Sequence, residues 1–450
     1  MNYIYKSVIG MLIITVCGCT KFLDGVPDSK LAIPKTTADF QQMLENENMF
    51  DIAPALGEFG TDDIKIADEV LVTSHIALQN GYIYAKDIFA GTANQDWSNA
   101  YQKIYYANIV LEGLGKINQE VATTSDQDVV KGWALFCRAN AFYDLQEIFG
   151  QPFKPLSSST DKGIPLKLSS NLNESIQRAT VAETFDQITK DLEQAAILLP
   201  AEVSQINRSK PSKSAAYALL ARVYLVMQKY DSALEATNRS LNYYKSLVDY
   251  NNFNSASRLP FNPIVQEVIY NSLQLAYLPL NCGVDGGLYN LYHANDLRKV
   301  LFFNLNVTTN MPAFKGYYSG NYIAYNGLTT SEVYLTRAEC YARLSQDQKA
   351  LDDLNTLLTK RYKVGTYIPY TIDNTTDRLK LVLTERRKEC VFRNLRWTDL
   401  RRLNQDPRFA KSIIHTFRGS SYTLAPNDPK YVFPIPDVEI RASGIEQNMR

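Results

Sequence analysis

The amino-acid sequence predicts a mainly α fold, in which a scaffold of repeated helices is interrupted by one large irregular segment. Two stretches, 214–241 and 331–360, repeat apolar residues and tyrosines at the three- and four-residue spacing of helices. Between them, residues 242–330 carry 11 Tyr, 14 Asn, 6 Gly and 4 Pro, with few long helical runs. We therefore expect a helical part at 36–241, an irregular subdomain at 242–330 and a second helical part at 331–450.

The two repeated stretches are each predicted to be a helical hairpin. In the first, small alanines allow a second helix to approach closely, and Lys229–Asp231 breaks the pattern before it resumes. The second stretch matches the first at one constant offset, with these pairs of identities: Tyr217 and Tyr334, Ala221 and Ala338, Tyr224 and Tyr341, Ala233 and Ala350. This spacing is similar to that of tetratricopeptide units, although Arg337 stands where the first copy has Leu220.

The composition excludes several classes of protein. With 450 residues and 45% hydrophobic content, the chain is globular rather than disordered. Lys plus Arg and Asp plus Glu both number 47, so the chain has no net field that would attract nucleic acid or an anionic membrane. We expect no nucleic-acid partner.

The first residues are typical of an exported lipoprotein. The apolar run Val8–Val16 is much shorter than the ~20 residues that a membrane-spanning helix needs. Small residues then precede Cys19, as in a bacterial lipobox whose cysteine becomes the acylated first residue. We predict a lipoprotein signal peptide at 1–18, lipidation of Cys19 and a tether at 19–35. The alternative is an ordinary secretory signal that is cleaved nearby.

Helical patterns fill most of the two flanking parts. Amphipathic helices are predicted at Trp97–Ile117, Asp128–Phe149 and Val181–Leu199, before the first hairpin. After the second hairpin, Asp377–Leu403 is predicted to form one long helix with nine Lys and Arg against four Asp and Glu. Its charges are expected to pair at three- and four-residue spacing, which favours a structural role over phosphate binding.

The sequence carries no motif for catalysis, a cofactor or a metal. His75, His293 and His415 are isolated, and neither HExxH nor a nucleophile elbow occurs. The cysteines that follow Cys19 are sparse and lie mainly in helical patterns, which predicts small buried apolar residues rather than a zinc site. We expect a protein that is not an enzyme and has no cofactor or metal site.

Several sequence blocks occur together along nearly the whole chain. They are Trp133–Phe149 (WALFCRANAFYDLQEIF), Asn295–Arg298 (NDLR), Glu332–Leu344 (EVYLTRAECYARL), Thr384–Leu403 (TERRKECVFRNLRWTDLRRL) and Phe433–Ile440 (FPIPDVEI). Together with the lipobox they resemble the SusD/RagB family of nutrient-binding lipoproteins of the Bacteroidetes outer membrane. The resemblance implies a tetratricopeptide-type scaffold on one side, an irregular ligand-binding half on the other and a TonB-dependent SusC-like transporter beneath, for which the protein is a lid.

Two classes of function remain open on the sequence. A surface nutrient-binding lipoprotein would use the irregular segment, because tyrosine faces cover apolar ring surfaces and asparagine amides bind hydroxyls. A helical-repeat scaffold that binds only proteins has no use for such a segment. The resemblance implies that oligosaccharides are captured at the cell surface and delivered to the transporter, with peptide ligands, as in RagB-like proteins, as the alternative.

The predicted ligand-binding face combines a polar loop, one tryptophan and part of the irregular segment. Trp97 follows a polar loop and is expected to be exposed. Tyr and Trp offer large flat surfaces that cost only two torsions each to order. The predicted contact residues are Asp62, Asp63, Trp97, Tyr289, Tyr292, Tyr317, Tyr318, Asn321 and Tyr322. The alternative for any single tyrosine is that it seals the irregular segment against the helices.

Overall fold

The computed structural model describes residues 34–117, 124–175, 177–262, 265–279 and 282–450. The predicted signal peptide, Cys19 and nearly all of the tether lie outside these residues. The helices are α1 (Thr37–Leu44), α2 (Glu47–Phe50), α3 (Leu56–Phe59), α4 (Asp68–Leu71), α5 (Ile76–Tyr82), α6 (Gln95–Leu114), α7 (Thr124–Phe149), α8 (Val181–Leu198), α9 (Lys213–Val226), α10 (Tyr230–Tyr243), α11 (Gly286–Tyr289), α12 (Arg298–Phe302), α13 (Thr330–Arg343), α14 (Asp347–Leu358), α15 (Arg378–Glu389), α16 (Arg396–Leu403) and α17 (Asp437–Ser443).

The strands are short, and half of them lie in the irregular part. They are β1 (Ile52–Ala53), β2 (Ile64–Lys65), β3 (Lys162–Pro165), β4 (Arg178–Thr180), β5 (Val268–Tyr270), β6 (Leu273–Gln274), β7 (Gly283–Val284), β8 (Phe303–Asn306), β9 (Met311–Phe314), β10 (Leu328–Thr329), β11 (Ile413–Phe417) and β12 (Ser420–Leu424). Helices therefore dominate the described chain, and the predicted mainly α fold is confirmed.

The long helices pack in sequence order into a stack. α6 packs on α7, α7 on α8, α8 on α9 and α9 on α10; the stack then continues from α10 directly to α13, which pairs with α14. The two predicted hairpins are α9–α10 and α13–α14, and both are confirmed. Because α10 contacts α13, the two repeat units are neighbours in space although the irregular segment separates them in sequence.

One substitution between the two repeats has a clear structural reason. Arg337 on α13 lies in the position that Leu220 fills on α9. Its guanidinium donates to both carboxylate oxygens of Asp353 on α14, at 2.6 and 2.7 Å. A bidentate ion pair of this kind gives fixed geometry as well as energy. The second repeat therefore adds an ion pair to the apolar contacts between its two helices.

The predicted long helix at Asp377–Leu403 is wrong, because it is two helices, α15 and α16. Between them Phe392 and Asn394 take positive φ values of 55° and 57°. The left-handed region ends a helix, and asparagine adopts it more readily than most residues. The Asn394 side chain also donates to Pro54 O at 2.9 Å, which fixes the break against the N-terminal segment.

The charges of α15 and α16 are mostly buried, and their structural role is confirmed. Two pairs form at helical spacing, Lys388–Glu385 and Arg402–Asp399. Other ion pairs join residues that are far apart in sequence, and the predicted three- and four-residue spacing did not include them. The wholly buried Arg298 of the irregular part has three carboxylate partners at 2.6 to 3.2 Å, which are Asp296, Glu385 and Glu389. These ion pairs fasten the irregular part to α15.

The irregular part is completed by the segment that precedes α6. Its main sheet has four strands in the order β2-β7-β9-β8, and β2 comes from that earlier segment. β1 also precedes α6, and it pairs in parallel with β6 of the irregular segment. Residues 242–330 alone would lack these partners, so the irregular part of the fold draws on two separated stretches of sequence.

Candidate functional site

A row of aromatic rings runs from the interior to the surface of the irregular part. Phe392 stacks on Phe314, with ring centroids 4.9 Å apart and an interplanar angle of 19°. Tyr317 meets Phe314 edge to face at 5.0 Å, and Tyr322 lies 6.2 Å from Tyr317. Tyr317 is half-buried and Tyr322 is 46% exposed. The structure thus brings two of the predicted tyrosines together at the surface.

These rings border a hollow at the surface, which we call the tyrosine depression. Its accessible volume is about 30 Å³. The rim consists of exposed and half-buried residues, namely Leu275, Ala276, Leu278, Tyr317, Tyr322 and Ile323. The floor consists of buried residues, namely Gln274, Cys282, Phe314, Ala324 and Phe392. The side chains of this lining are apolar apart from the two tyrosine hydroxyls, the Gln274 amide and the Cys282 thiol.

Local hydrogen bonds hold the depression in shape. Gln274 Nε2 donates to Phe392 O at 3.1 Å and to Tyr325 O at 3.4 Å, which ties β6 to the break between α15 and α16. On the rim, Ser319 Oγ donates to Ile323 O at 2.7 Å, and Ile323 N donates to Asn321 Oδ1 at 2.7 Å. The predicted contact residue Asn321 is exposed. Its side chain also accepts a hydrogen bond that shapes the loop carrying Tyr322.

The expectation that Trp97 is exposed is wrong. Asn94 caps α6 and accepts a hydrogen bond from Trp97 N at 3.3 Å, so the indole lies in the first turn of the helix. It faces inward, with its ring centroid 4.8 Å from that of Tyr101 and 5.1 Å from that of Phe149. Only 5% of the residue is exposed. The polar loop before α6 reaches the surface, whereas the helix turns this side chain into the core.

For three of the predicted tyrosines the structure favours the sealing interpretation. Tyr292 is buried, and its hydroxyl donates to Lys388 O at 2.7 Å. Tyr318 is buried, and its hydroxyl donates to Glu267 Oε1 at 2.8 Å. Tyr289 is half-buried, and Lys299 Nζ lies 4.7 Å above its ring. Burial raises the pKa of Tyr292 and Tyr318, so both keep the protons that they donate.

The carboxylates of Asp62 and Asp63 are engaged in ion pairs. Asp62 accepts from Arg396 Nε at 2.7 Å and from Lys411 Nζ at 2.6 Å, and Asp63 accepts from Arg387 Nε at 2.7 Å. Burial alone would raise the pKa of Asp62, but Arg396 and Arg387 hold it well below its usual range. This loop joins the N-terminal segment to α15 and α16, and a ligand contact here stays a prediction.

The described cysteines and His415 lie in the interior of the protein. Within residues 34–450, as far as they are described, no three His, Cys, Asp or Glu side chains lie close enough together to hold a metal ion. The cysteines at 137, 282, 340 and 390 are free and buried, which confirms the prediction for those in helical patterns. His415 lies between the rings of Tyr82 and Tyr84, with centroid distances of 4.1 and 5.1 Å.

Two family models match the chain, one on each side of the irregular part. The first, described as starch-binding and associating with the outer membrane, matches residues 21–225, and the second, the SusD family, matches residues 318–449. A curated relative, SusD-like protein P2 of Formosa agariphila, is 27% identical over 249 residues, which is 53% of this chain. The match spans 46% of that relative's own length.

Several solved structures share the fold. A SusD superfamily protein from Bacteroides thetaiotaomicron has a TM-score of 0.72 at 21% identity, covering 92% of this chain and 100% of that chain. A putative sugar-binding protein from Bacteroides vulgatus has a TM-score of 0.74 at 20% identity, with coverage of 92% and 98%. Surface glycan-binding protein A from Bacteroides fluxus has a TM-score of 0.69 at 18% identity, with coverage of 93% and 99%.

These structures confirm a helical-repeat scaffold joined to an irregular part, and the family models give the same assignment at both ends of the chain. The chain belongs to the SusD/RagB family.

Proposed function

We propose that this protein is a cell-surface lipoprotein that binds oligosaccharides without catalysis and delivers them to a SusC-like TonB-dependent transporter. The description of the first matching family, starch-binding and associating with the outer membrane, supports this proposal. So do the names of the Bacteroides vulgatus and Bacteroides fluxus proteins, which refer to sugar and glycan binding. No helix of the described chain is both long and apolar enough to cross a membrane.

The observation that carries the proposal is the tyrosine depression. Tyr322 presents an exposed ring at the surface, Tyr317 lies beside it, and Asn321 adds an exposed amide. An aromatic face covers the apolar C–H face of a sugar ring, while hydroxyl and amide groups beside it exchange hydrogen bonds with sugar hydroxyls. The depression opens at the surface, so an oligosaccharide would lie across it with only part of its own surface buried. We expect a Kd in the range of roughly micromolar to millimolar.

One alternative ligand class has a specific observation in its favour. Most of the side chains that line the depression are apolar, and such side chains also suit the apolar side chain of a peptide. A RagB-like peptide-binding protein would use the same surface. A scaffold that binds only proteins would leave this surface without a small ligand.

Isothermal titration of the purified protein against oligosaccharide pools and peptide pools tests the proposal. The expected result is saturable heat with at least one oligosaccharide pool and none with peptides. Saturable binding of peptides alone would favour the RagB-like alternative. If neither pool binds at millimolar concentration, the nutrient-binding proposal is wrong.

A further inference from the structure

We infer that Gln274 contacts the sugar in the tyrosine depression, where its amide oxygen accepts a hydrogen bond from a hydroxyl or N–H group of one sugar unit. This inference rests on the proposed function and adds to it a residue that selects ligands carrying a hydrogen-bond donor. It follows from the place of Gln274 in the fold, from the fixed orientation of its amide and from an oxygen that no donor of the described chain satisfies.

The backbone holds Gln274 at the floor of the depression. The residue belongs to β6 and lies opposite Ala53 of β1 in the parallel pair. Its backbone N–H donates to Ala324 O at 2.8 Å. Only 1% of Gln274 is exposed, and the residue is part of the lining of the depression. The backbone therefore fixes the point from which this side chain extends.

Two backbone carbonyls determine which way round the Gln274 amide lies. Its Nε2 donates to Phe392 O at 3.1 Å and to Tyr325 O at 3.4 Å. If the amide were turned over, Oε1 would face these two carbonyl oxygens with no proton between them. The nitrogen must therefore lie on the side of the carbonyls, and the oxygen is the atom that is left for another partner.

The amide oxygen of Gln274 has no hydrogen-bond donor within the described chain. Leaving a buried acceptor unpaired is unfavourable, and most buried polar side-chain atoms have a partner. The depression has room for a donor, because its accessible volume of about 30 Å³ exceeds the roughly 10 to 15 Å³ that one water needs. The oxygen is covered in this structure, so the lining must give way slightly as the donor of a ligand enters.

The need for a donor distinguishes Gln274 from the other polar side chains of the lining. The Tyr317 and Tyr322 hydroxyls and the Cys282 thiol can both donate and accept, whereas an amide oxygen only accepts. A sugar hydroxyl or the N–H of an acetamido group would satisfy it. An ether oxygen or a fluorine at the same place would bring a second acceptor and leave both atoms unpaired. The depression should therefore discriminate against such groups.

Sugars in which fluorine replaces one hydroxyl provide the first test, because fluorine is close to a hydroxyl in size and cannot donate. The probes are the methyl glycosides of glucose, galactose, mannose and N-acetylglucosamine, each with its monodeoxyfluoro derivatives. Saturation-transfer NMR with the full-length protein suits their weak binding. We expect one position at which fluorine lowers affinity about three- to tenfold, as the loss of one neutral hydrogen bond implies. If fluorine is tolerated at every position, the inference is wrong.

Gln274→Met connects this loss to the Gln274 side chain. Methionine has a similar length and no amide, so affinity for the tightest-binding glycoside should fall about three- to tenfold. Fluorine at the sensitive position should then cost nothing further, an effect that a merely structural role would not produce.

Gln146→Met is the matched control. Gln146 on α7 also donates Nε2 to a backbone carbonyl, Gln151 O at 2.8 Å, and its Oε1 also has no partner in the described chain. It is not among the residues that line the depression. Gln146→Met should therefore bind the glycosides as the native protein does. The thermal midpoint of each variant reports whether it is folded.

The outcomes separate this inference from the proposed function. If oligosaccharide pools bind but Gln274→Met keeps native affinity, or if fluorine costs the same in both proteins, the inference is wrong and the proposed function stands. Equal losses in both methionine variants, or pools that bind while all four glycosides fail, also overturn the inference alone. If Gln274→Met does not fold, the fluorine series on the native protein decides. If no saccharide of any kind binds, the proposed function itself fails.

Discussion

At the scale of single residues, Glu58 on α3 is a buried carboxyl for which the described chain shows no ion-pair partner. It is 0% exposed, and neither carboxylate oxygen has a hydrogen-bond partner in the described chain. Burial raises the pKa of Glu58 to about 8, and the neighbouring charge of Asp63 adds to this shift. Glu58 is therefore mainly protonated at neutral pH, which avoids an unpaired charge in the core.

This pKa predicts how stability depends on pH. A carboxyl whose pKa is raised in the folded state contributes stability that is fully present below its unfolded pKa and is lost as pH rises through the folded value. We expect the free energy of unfolding to fall as pH rises from about 4.5 towards about 8, with a contribution from Glu58 of about 2 kcal/mol between pH 6 and pH 8. Urea unfolding at several pH values in this range measures the fall in the free energy of unfolding. Glu58→Gln keeps the shape without the ionisation, so its profile should be flatter; a variant as steep as the native protein would contradict the assignment.

At the scale of elements, Arg361 joins the helical scaffold to the irregular part. It follows α14 and is wholly buried. Its guanidinium donates to Glu267 Oε2 at 2.8 Å, to Glu389 Oε1 at 2.8 Å and to Val248 O at 3.0 Å. Burial alone would raise the pKa of Glu389, but Arg361 and Arg298 lower it to about 2. One cation thus holds two buried carboxylates from different elements.

Removing this cation should be costly. Arg361→Met leaves Glu267 and Glu389 buried with less compensation, and breaking a buried pair in this way typically costs about 3 to 5 kcal/mol. Arg239 provides a matched control, because its ion pair with Glu235 is exposed on α10; Arg239→Met should change stability by about 0.5 kcal/mol or less. Urea unfolding of both variants measures the two changes in the free energy of unfolding. Equal effects of both substitutions would contradict a special role for Arg361.

At the scale of the whole molecule, the helical scaffold could be predicted from the sequence because the regular spacing of its apolar residues is visible within short stretches of chain. The hairpins α9–α10 and α13–α14 show their periodicity within about 30 residues. The site could be predicted only in part. Tyr317 and Tyr322 reach the surface whereas Tyr292 and Tyr318 do not, and tyrosine suits both environments, so composition alone does not separate them.

The positions of two further side chains depend on backbone geometry that the sequence pattern does not reveal. Trp97 turns inward because Asn94 sets the start of α6. Phe392 reaches the depression because the chain leaves the helical conformation at this point. The only local sign of that break is Asn394, a residue that tolerates the left-handed region.

The predicted lipid anchor would determine where the whole molecule resides in the cell. If Cys19 is acylated, the protein is held at the outer membrane through its lipid chains, since more than one chain gives stable anchoring. We expect Cys19→Ala to move the protein from the membrane fraction to the soluble fraction, as cell fractionation and immunoblotting would show. Cys17→Ala is the control and should stay in the membrane fraction. A Cys19→Ala protein that stays membrane-bound would contradict the lipobox.

The proposed function also requires a stable complex between this protein and the SusC-like transporter. A stable assembly of this kind should bury at least ~1,200 Å². Extraction in mild detergent and affinity purification of the native protein should recover a large outer-membrane barrel protein, which mass spectrometry would identify. Repeated recovery of the lipoprotein alone would count against the proposal.

The central claim is that the tyrosine depression is where the ligand binds, and one comparison of two variants tests it most directly. Tyr322 is 46% exposed beside the depression, and Tyr243 is 43% exposed on α10, away from it, so the two offer similar aromatic surface. Titration with the strongest-binding oligosaccharide should give a loss of at least about tenfold for Tyr322→Ala, as stacking contacts of ~1 to 3 kcal/mol imply. Tyr243→Ala should bind as the native protein does. If Tyr322→Ala keeps native affinity, or if the two variants lose affinity equally, the site is not at the depression.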